Sequence, residues 1–318
     1  MRRQPDPAAT RARAPSPATR VLDRVLRRAM RRGAISGLDP DDVARGRRRM
    51  EALTFLPPRG PVTETLRCLA GRPAGVYRTP ASRTDAAVLW LHGGAYVSGS
   101  LRTHRELFAS LAEATGLVVV GLDYRLAPEH AFPAWLDDAV GACATLIDEL
   151  GAANVVLGGD SAGGGLALAT LLANRDDGRA QPAAAIAFSP WTDLAGTLPS
   201  WRANADVDAM IDAASLSAVG RAIAVAADRP ATDPLLSPAF GDFAGCPPLL
   251  LEVGTTEVLL DDARAIRDAY IRCGGAVELH EWPQAPHVFP AFARILPEGR
   301  AAHAEVSAFV ARHLDRRA

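Results

Sequence analysis

Between residues 86 and 279, six short apolar runs alternate with stretches of helical spacing, and this alternation restricts the fold more than any other feature. The runs Ala86–Leu91, Leu117–Leu122, Val155–Gly158, Ala184–Phe188, Leu249–Val253 and Val277–Leu279 read as strands. Most are continuous rather than alternating in polarity, so both faces of those strands must be covered. Helical patterns near 103–114, 134–150, 162–175, 261–273 and 301–314 supply that cover. The βαβα order predicts a mostly parallel central sheet flanked by helices. At 318 residues, the chain suits one large domain, or one domain with a small lid, better than three separate units.

The flanks differ in texture. Residues 1–18 carry Pro, Ala, Arg and Thr without periodicity and read as a disordered tail. Residues 19–60 read as N-terminal cap helices: Val21, Leu22, Val25, Leu26 and Met30 have helical spacing, and Leu38 to Asp42 reads as a stop and a capped restart. Residues 61–318 form the main domain. Within it, Trp191 to Leu236 shows no strand pattern but holds helical, alanine-rich sequence, so an insertion at about 199–230 is expected to complete a lid.

Charge and cysteine content narrow the function. The formal net charge is -1, which provides no broad field for nucleic acid or an anionic membrane. Cys68, Cys143, Cys246 and Cys273 are scattered, without a C-x-x-C pair or a histidine at zinc spacing, and are expected to be reduced thiols. No apolar run approaches the roughly 18 residues of a membrane span, and no apolar core follows the arginine-rich start. A cytoplasmic location is the expectation.

The chemistry centres on Gly159-Asp160-Ser161-Ala162-Gly163, placed between a strand and a helix. There the two glycines admit a tight turn that lifts the serine hydroxyl above the sheet at a helix N-terminus, which favours developing negative charge. Ser161 is the expected nucleophile. Asp160 reads as a structural hydrogen-bond partner. His92-Gly93-Gly94-Ala95 follows another strand, and its small residues let backbone amides reach an oxyanion. The amides of Gly94 and of either Gly93 or Ala95, with that of Ala162, are the expected donors.

A base histidine should follow the serine and the acid along the chain. Of His280, His287, His303 and His313, the first lies in a strand pattern and the last two on the terminal helix. His287 stands in a loop just past the last strand and is the choice. The acid belongs on the loop after Leu249–Val253, where Glu257, Asp261 and Asp262 are candidates. Glu257 lies nearest the strand end, whereas the aspartates head a helix and serve as caps.

Together with Asp123-Tyr124-Arg125-Leu126-Ala127-Pro128-Glu129 and Ser189-Pro190-Trp191-Thr192-Asp193, these motifs resemble the hormone-sensitive-lipase-like (family IV) carboxylesterases over residues 62–315. The resemblance implies an α/β-hydrolase fold, a cap built from the N-terminal helices and the insertion, and no metal or organic cofactor. The family's Asp-x-Leu-x-Asp register falls on Glu257-Val258-Leu259-Leu260-Asp261, so Glu257 stands where an aspartate is usual, and Ala95 stands where a third glycine is usual. Asp123 to Glu129 reads as scaffold for the serine turn. The expected reaction is acyl transfer through Ser161 on a short- to medium-chain ester, a small molecule, with a homodimer as a further possibility. A lactone or amide substrate on the same residues is the alternative, and a non-catalytic binder is the other class; the presence of His287 speaks against the latter.

Overall fold

The computed structural model describes residues 14–29, 34–53 and 60–314. Its elements are α1 (Pro17–Ala29), α2 (Pro40–Leu53), β1 (Thr63–Leu69), β2 (Arg72–Arg78), β3 (Arg83–Leu91), α3 (Leu101–Thr115), β4 (Leu117–Leu122), α4 (Ala134–Leu150), β5 (Val155–Asp160), α5 (Ala162–Asp176), β6 (Ala184–Phe188), α6 (Ser200–Ala203), α7 (Ala213–Ala226), β7 (Leu249–Gly254), α8 (Leu260–Arg272), β8 (Val277–Trp282) and α9 (Pro297–His313). All six strands read from the sequence are present. The N-terminal hairpin β1–β2 is an addition that the sequence reading missed. The tail expected over 1–18 lies largely outside the described residues, and α1 already begins at Pro17, so its boundary moves.

The strands form one sheet in the order β1-β2-β4-β3-β5-β6-β7-β8. From β4 to β8 every pairing is parallel, while β1–β2 and β2–β4 are antiparallel. The continuous apolar runs split by period 2 between the two faces. Leu89, Leu91, Val155, Leu157, Ala187 and Leu251 share one core with α4, α5 and α8. Val88, Trp90, Val156, Ile186, Phe188 and Leu250 share the other with α3 and α9. Burying each such large side chain contributes on the order of 2 kcal/mol. Where the chain must turn back, local chemistry stops the helices: α3 starts on a Ser100–Thr103 capping box and ends at Gly116, φ +66°.

The segments outside the sheet are tied to it at defined points. Ala18 and Leu22 of α1 pack against the cluster of Trp282, Ala285 and Phe289, and Ser16 donates to the Glu298 carboxylate at the start of α9 through N (2.7 Å) and Oγ (3.0 Å). Arg47 of α2 donates to Val97 O (2.7 Å) and Ala127 O (2.9 Å) and pairs with Glu129. No helix among the described residues is long and apolar enough to cross a membrane.

Candidate active site

Parallel strands share one carboxyl edge, and in this sheet β5, β6, β7 and β8 are consecutive neighbours. Their C-terminal loops therefore open side by side. Ser161 follows β5, Ser189 follows β6, Glu257 follows β7 and His287 follows β8. The loop His92 to Ala95 follows β3, the neighbour of β5 on the other side.

Ser161 stands at φ +54°, ψ -122°, between strand and helix. A non-glycine residue holds such a conformation only when its surroundings fix it. Here Ser161 N donates to Phe188 O (2.8 Å), and Ser161 O accepts from Trp191 N (2.9 Å) and Gly165 N (3.1 Å). The flanking glycines are required by contact: a Cβ at Gly159 would meet Gly163 O at 2.2 Å, and one at Gly163 would meet Leu91 O at 2.0 Å. The tightness of the serine turn thus depends on Gly159, and its close approach to β3 on Gly163. Ser161 Oγ forms no hydrogen bond among the described residues.

The glycine loop is braced from below. Asp160 accepts from Trp90 Nε1 (2.8 Å), from His104 Nε2 (3.1 Å) and from the Gly93 amide (3.1 Å). Burial opposes ionisation of Asp160, but His104, Trp90 and His92 outweigh it and hold the carboxyl below its ordinary range. Asp160 is thus the structural partner expected from the sequence. The Gly93 amide, offered as one possible oxyanion donor, is already committed to this carboxylate, so Gly93 is corrected to a bracing position. The amides of Gly94, Ala95 and Ala162 make no hydrogen bond among the described residues. Tyr124 donates its hydroxyl to His92 O (2.6 Å), so the Asp123–Glu129 segment supports this loop and not the serine turn directly. Burial lowers the His92 pKa to about 3 and keeps that ring neutral.

Among the three candidate carboxylates, Glu257 alone meets the loop histidine. Its Oε2 lies 2.7 Å from His287 Nδ1, and its Oε1 accepts from Gly254 N (2.6 Å) and Ser189 Oγ (2.8 Å). Asp261 accepts from Ser200 N (2.8 Å) and pairs with Arg264. Asp262 accepts from Thr192 N, Asp193 N and Trp201 Nε1 and is raised by burial to about 7. His287 is buried, which resists charging, yet the bond to Glu257 and its charge, with Asp208 and Asp160 beyond, raise it above the ordinary histidine value.

Sequence reasoning missed the residues that hold these loops. Asn204 donates to Thr255 O (3.2 Å) and Glu257 O (2.7 Å), and Asp208 accepts from Val258 N (2.9 Å). Arg27 of α1 donates to Asp206 O (2.9 Å) and to Val207 O. A cleft of about 340 Å³ opens between α1, Val207 and the loop residues Thr256 and Gln284. The larger cleft, about 520 Å³, lies away from this edge beside α4 and the end of α5 and contains none of the site residues.

Residues 88–291 match the family model described as alpha/beta hydrolase fold. The chain is 43% identical over 232 residues to an acetyl-hydrolase of Streptomyces hygroscopicus, covering 73% of this chain and 77% of that protein. It is 34% identical over 242 residues to an esterase of Acinetobacter venetianus, covering 76% and 79%. Among solved structures, an esterase from the bacterial hormone-sensitive lipase family superposes with a TM-score of 0.87 at 37% identity, over 95% of this chain and 100% of the other.

Proposed function

The chain belongs to the alpha/beta hydrolase family, among the bacterial hormone-sensitive-lipase-like esterases, and is a carboxylic ester hydrolase; on that premise we propose that it cleaves short- to medium-chain acyl esters through an acyl-enzyme on Ser161. The observation that carries this reading is the 2.7 Å contact between Glu257 Oε2 and His287 Nδ1, on the sheet edge where Ser161 stands on its strained turn. Neutral His287, with Nδ1–H donated to Glu257, offers Nε2 to the Ser161 proton. Ser161 Oγ attacks the ester carbonyl carbon, and the oxyanion accepts from the amides of Gly94, Ala95 and Ala162. The carbonyl re-forms as the bond to the alcohol oxygen breaks, and the imidazolium gives that oxygen its proton. Water, deprotonated by His287, then attacks the acyl-enzyme and releases the acid and Ser161.

No metal or cofactor enters these steps. The 43% identity to a protein named acetyl-hydrolase supports a short acyl group. The contacts of Arg27, Asn204 and Asp208 support a cap made by α1, α2 and the insertion that carries α6 and α7.

The test is initial rates on p-nitrophenyl esters of increasing acyl length, with Ser161→Ala beside the wild type. Turnover of short chains by the wild type and silence of Ser161→Ala are expected. Turnover that survives in Ser161→Ala, or a preference for the longest chains, would overturn the reading.

A further inference from the structure

Ser189 lies in the Ser189-Pro190-Trp191 motif at the end of β6, which the mechanism above leaves unused. The residue is fully buried, 0% exposed, so it touches no solvent and stands behind the acid and not beside the substrate. Its Oγ contacts two groups: Glu257 Oε1 at 2.8 Å and the Val288 amide at 3.0 Å. An amide N–H only donates, so the serine oxygen accepts there, and its single proton goes to the carboxylate. Val288 directly follows His287. One hydroxyl therefore joins the acid to the backbone of the base, and it does so from a third loop.

The backbone around it is fixed for this purpose. Ser189 N donates to Glu252 O (2.7 Å). Ser189 itself sits at φ +45° and Val288 at φ +51°, both in the left-handed region that glycine tolerates better than either. A packing role alone would be met by glycine at φ +45° with less strain, whereas neither glycine nor alanine supplies the hydroxyl.

We propose that Ser189 is a positioning residue for ester hydrolysis: its hydroxyl holds the Glu257 carboxylate and the His287 loop in register, and limits how strongly Glu257 draws the imidazole proton. The inference rests on the assignment of Glu257 and His287 given above. Removing the hydroxyl leaves Glu257 Oε1 with the Gly254 amide alone, which makes the carboxylate more basic. The imidazolium is then held to higher pH.

The experiment measures kcat, KM and the pH profile of kcat/KM for the full chain carrying Ser189→Ala or Ser189→Gly, with His287→Ala as a control. The alanine variant removes the hydroxyl and keeps only the Cβ. The glycine variant relieves the positive φ, so it carries the test if alanine compromises folding. For both, kcat is expected to fall about tenfold to a hundredfold, with KM within about twofold, and the ascending limb of the profile is expected to move up by about half a pH unit. A lowered melting temperature with kcat and the limb unmoved would make Ser189 a structural residue only and overturn the inference. If His287→Ala is inactive in that case, only the role of Ser189 fails. Retained activity in His287→Ala would instead remove the assignment on which it rests.

Discussion

Replacing Glu257 with glutamine tests the acid more sharply than deleting it, because the structure dictates which way the new amide points. Glu257 Oε1 accepts from Gly254 N at 2.6 Å, and that amide can only donate. The glutamine carbonyl oxygen must therefore occupy the Oε1 position, which turns the NH2 group toward His287 Nδ1, 2.7 Å away in the parent. Nδ1 then has to accept, and the single proton of the neutral ring moves to Nε2. A ring protonated at Nε2 cannot take the Ser161 proton. Forcing the wrong tautomer at an otherwise intact triad costs about 10⁴-fold in kcat, or roughly 5 kcal/mol of barrier. KM should hold, because Glu257 is 1% exposed and lies behind the base. The assay is kcat and KM on a short p-nitrophenyl ester, with circular dichroism to show that the variant is folded. Asp261→Asn is the matched control, since Asp261 serves Ser200 N and Arg264, and it should retain activity within about twofold. A folded Glu257→Gln with more than a tenth of parental activity, or a larger loss in Asp261→Asn, would refute the assignment.

Two further outcomes follow from the same geometry. His287 must be neutral to act as a base, and the Glu257 contact raises its pKa, so kcat/KM should climb with pH through a value above the ordinary histidine range. The sign reverses for stability: a raised folded-state pKa favours folding at low pH, and this contribution is lost as pH rises through the folded value, so activity and melting temperature should trend in opposite directions across that window. Gly163→Ala would set a Cβ 2.0 Å from Leu91 O and 2.5 Å from His92 O, both backbone. It should cost about 3 kcal/mol or more in urea unfolding, and unchanged stability would show that β3 and the serine turn separate freely.

The parallel part of the sheet was legible because a strand covered on both faces has to be apolar throughout, as Val155 to Leu157 and Ala184 to Phe188 are. β1 shows no such run: it is an edge strand, and Thr63, Glu64, Thr65 and Leu66 are all exposed. Its hairpin turns on Ala70 and Gly71, both at positive φ, without the Asn-Gly or Asp-Gly pair that marks such turns in a sequence. Ser161 was legible because its glycines meet a steric demand local to the turn, and His287 because chain order and loop position left few choices. Gly93 and Ala95 could not be separated from sequence, since what removes Gly93 is the Asp160 carboxylate, distant along the chain. Asn204 and Asp208 gave no signal for the same reason, and the motif that contains Ser189 did not reveal what its hydroxyl bonds. Their partners are set by which strands become neighbours, and a lone asparagine or aspartate carries no pattern of its own.

These long-range contacts bear on how the proposed cap and the chemistry are coupled. Asn204 and Asp208 of the insertion hold the backbone of the acid loop at Thr255, Glu257 and Val258. Ala18 and Leu22 of α1 pack on the cluster of Trp282, Ala285 and Phe289, which brackets His287 in the chain. Arg27 joins α1 to the insertion at Asp206 and Val207. The acid loop and the base loop are thus each held by a different outer segment, and those segments are held to each other. A movement that opened α1 away from residues 206–207 would act on the loops of both Glu257 and His287. Charge-assisted contacts weaken steeply once their geometry relaxes, so with the cap proposed above such a movement would also loosen the acid–base pair. Ser189 opposes that slack from inside the sheet, because its bonds to Glu257 and Val288 depend on neither outer segment. The arrangement places the hold of the outer segments on the two loops outside the sheet and the hold of Ser189 at the end of β6.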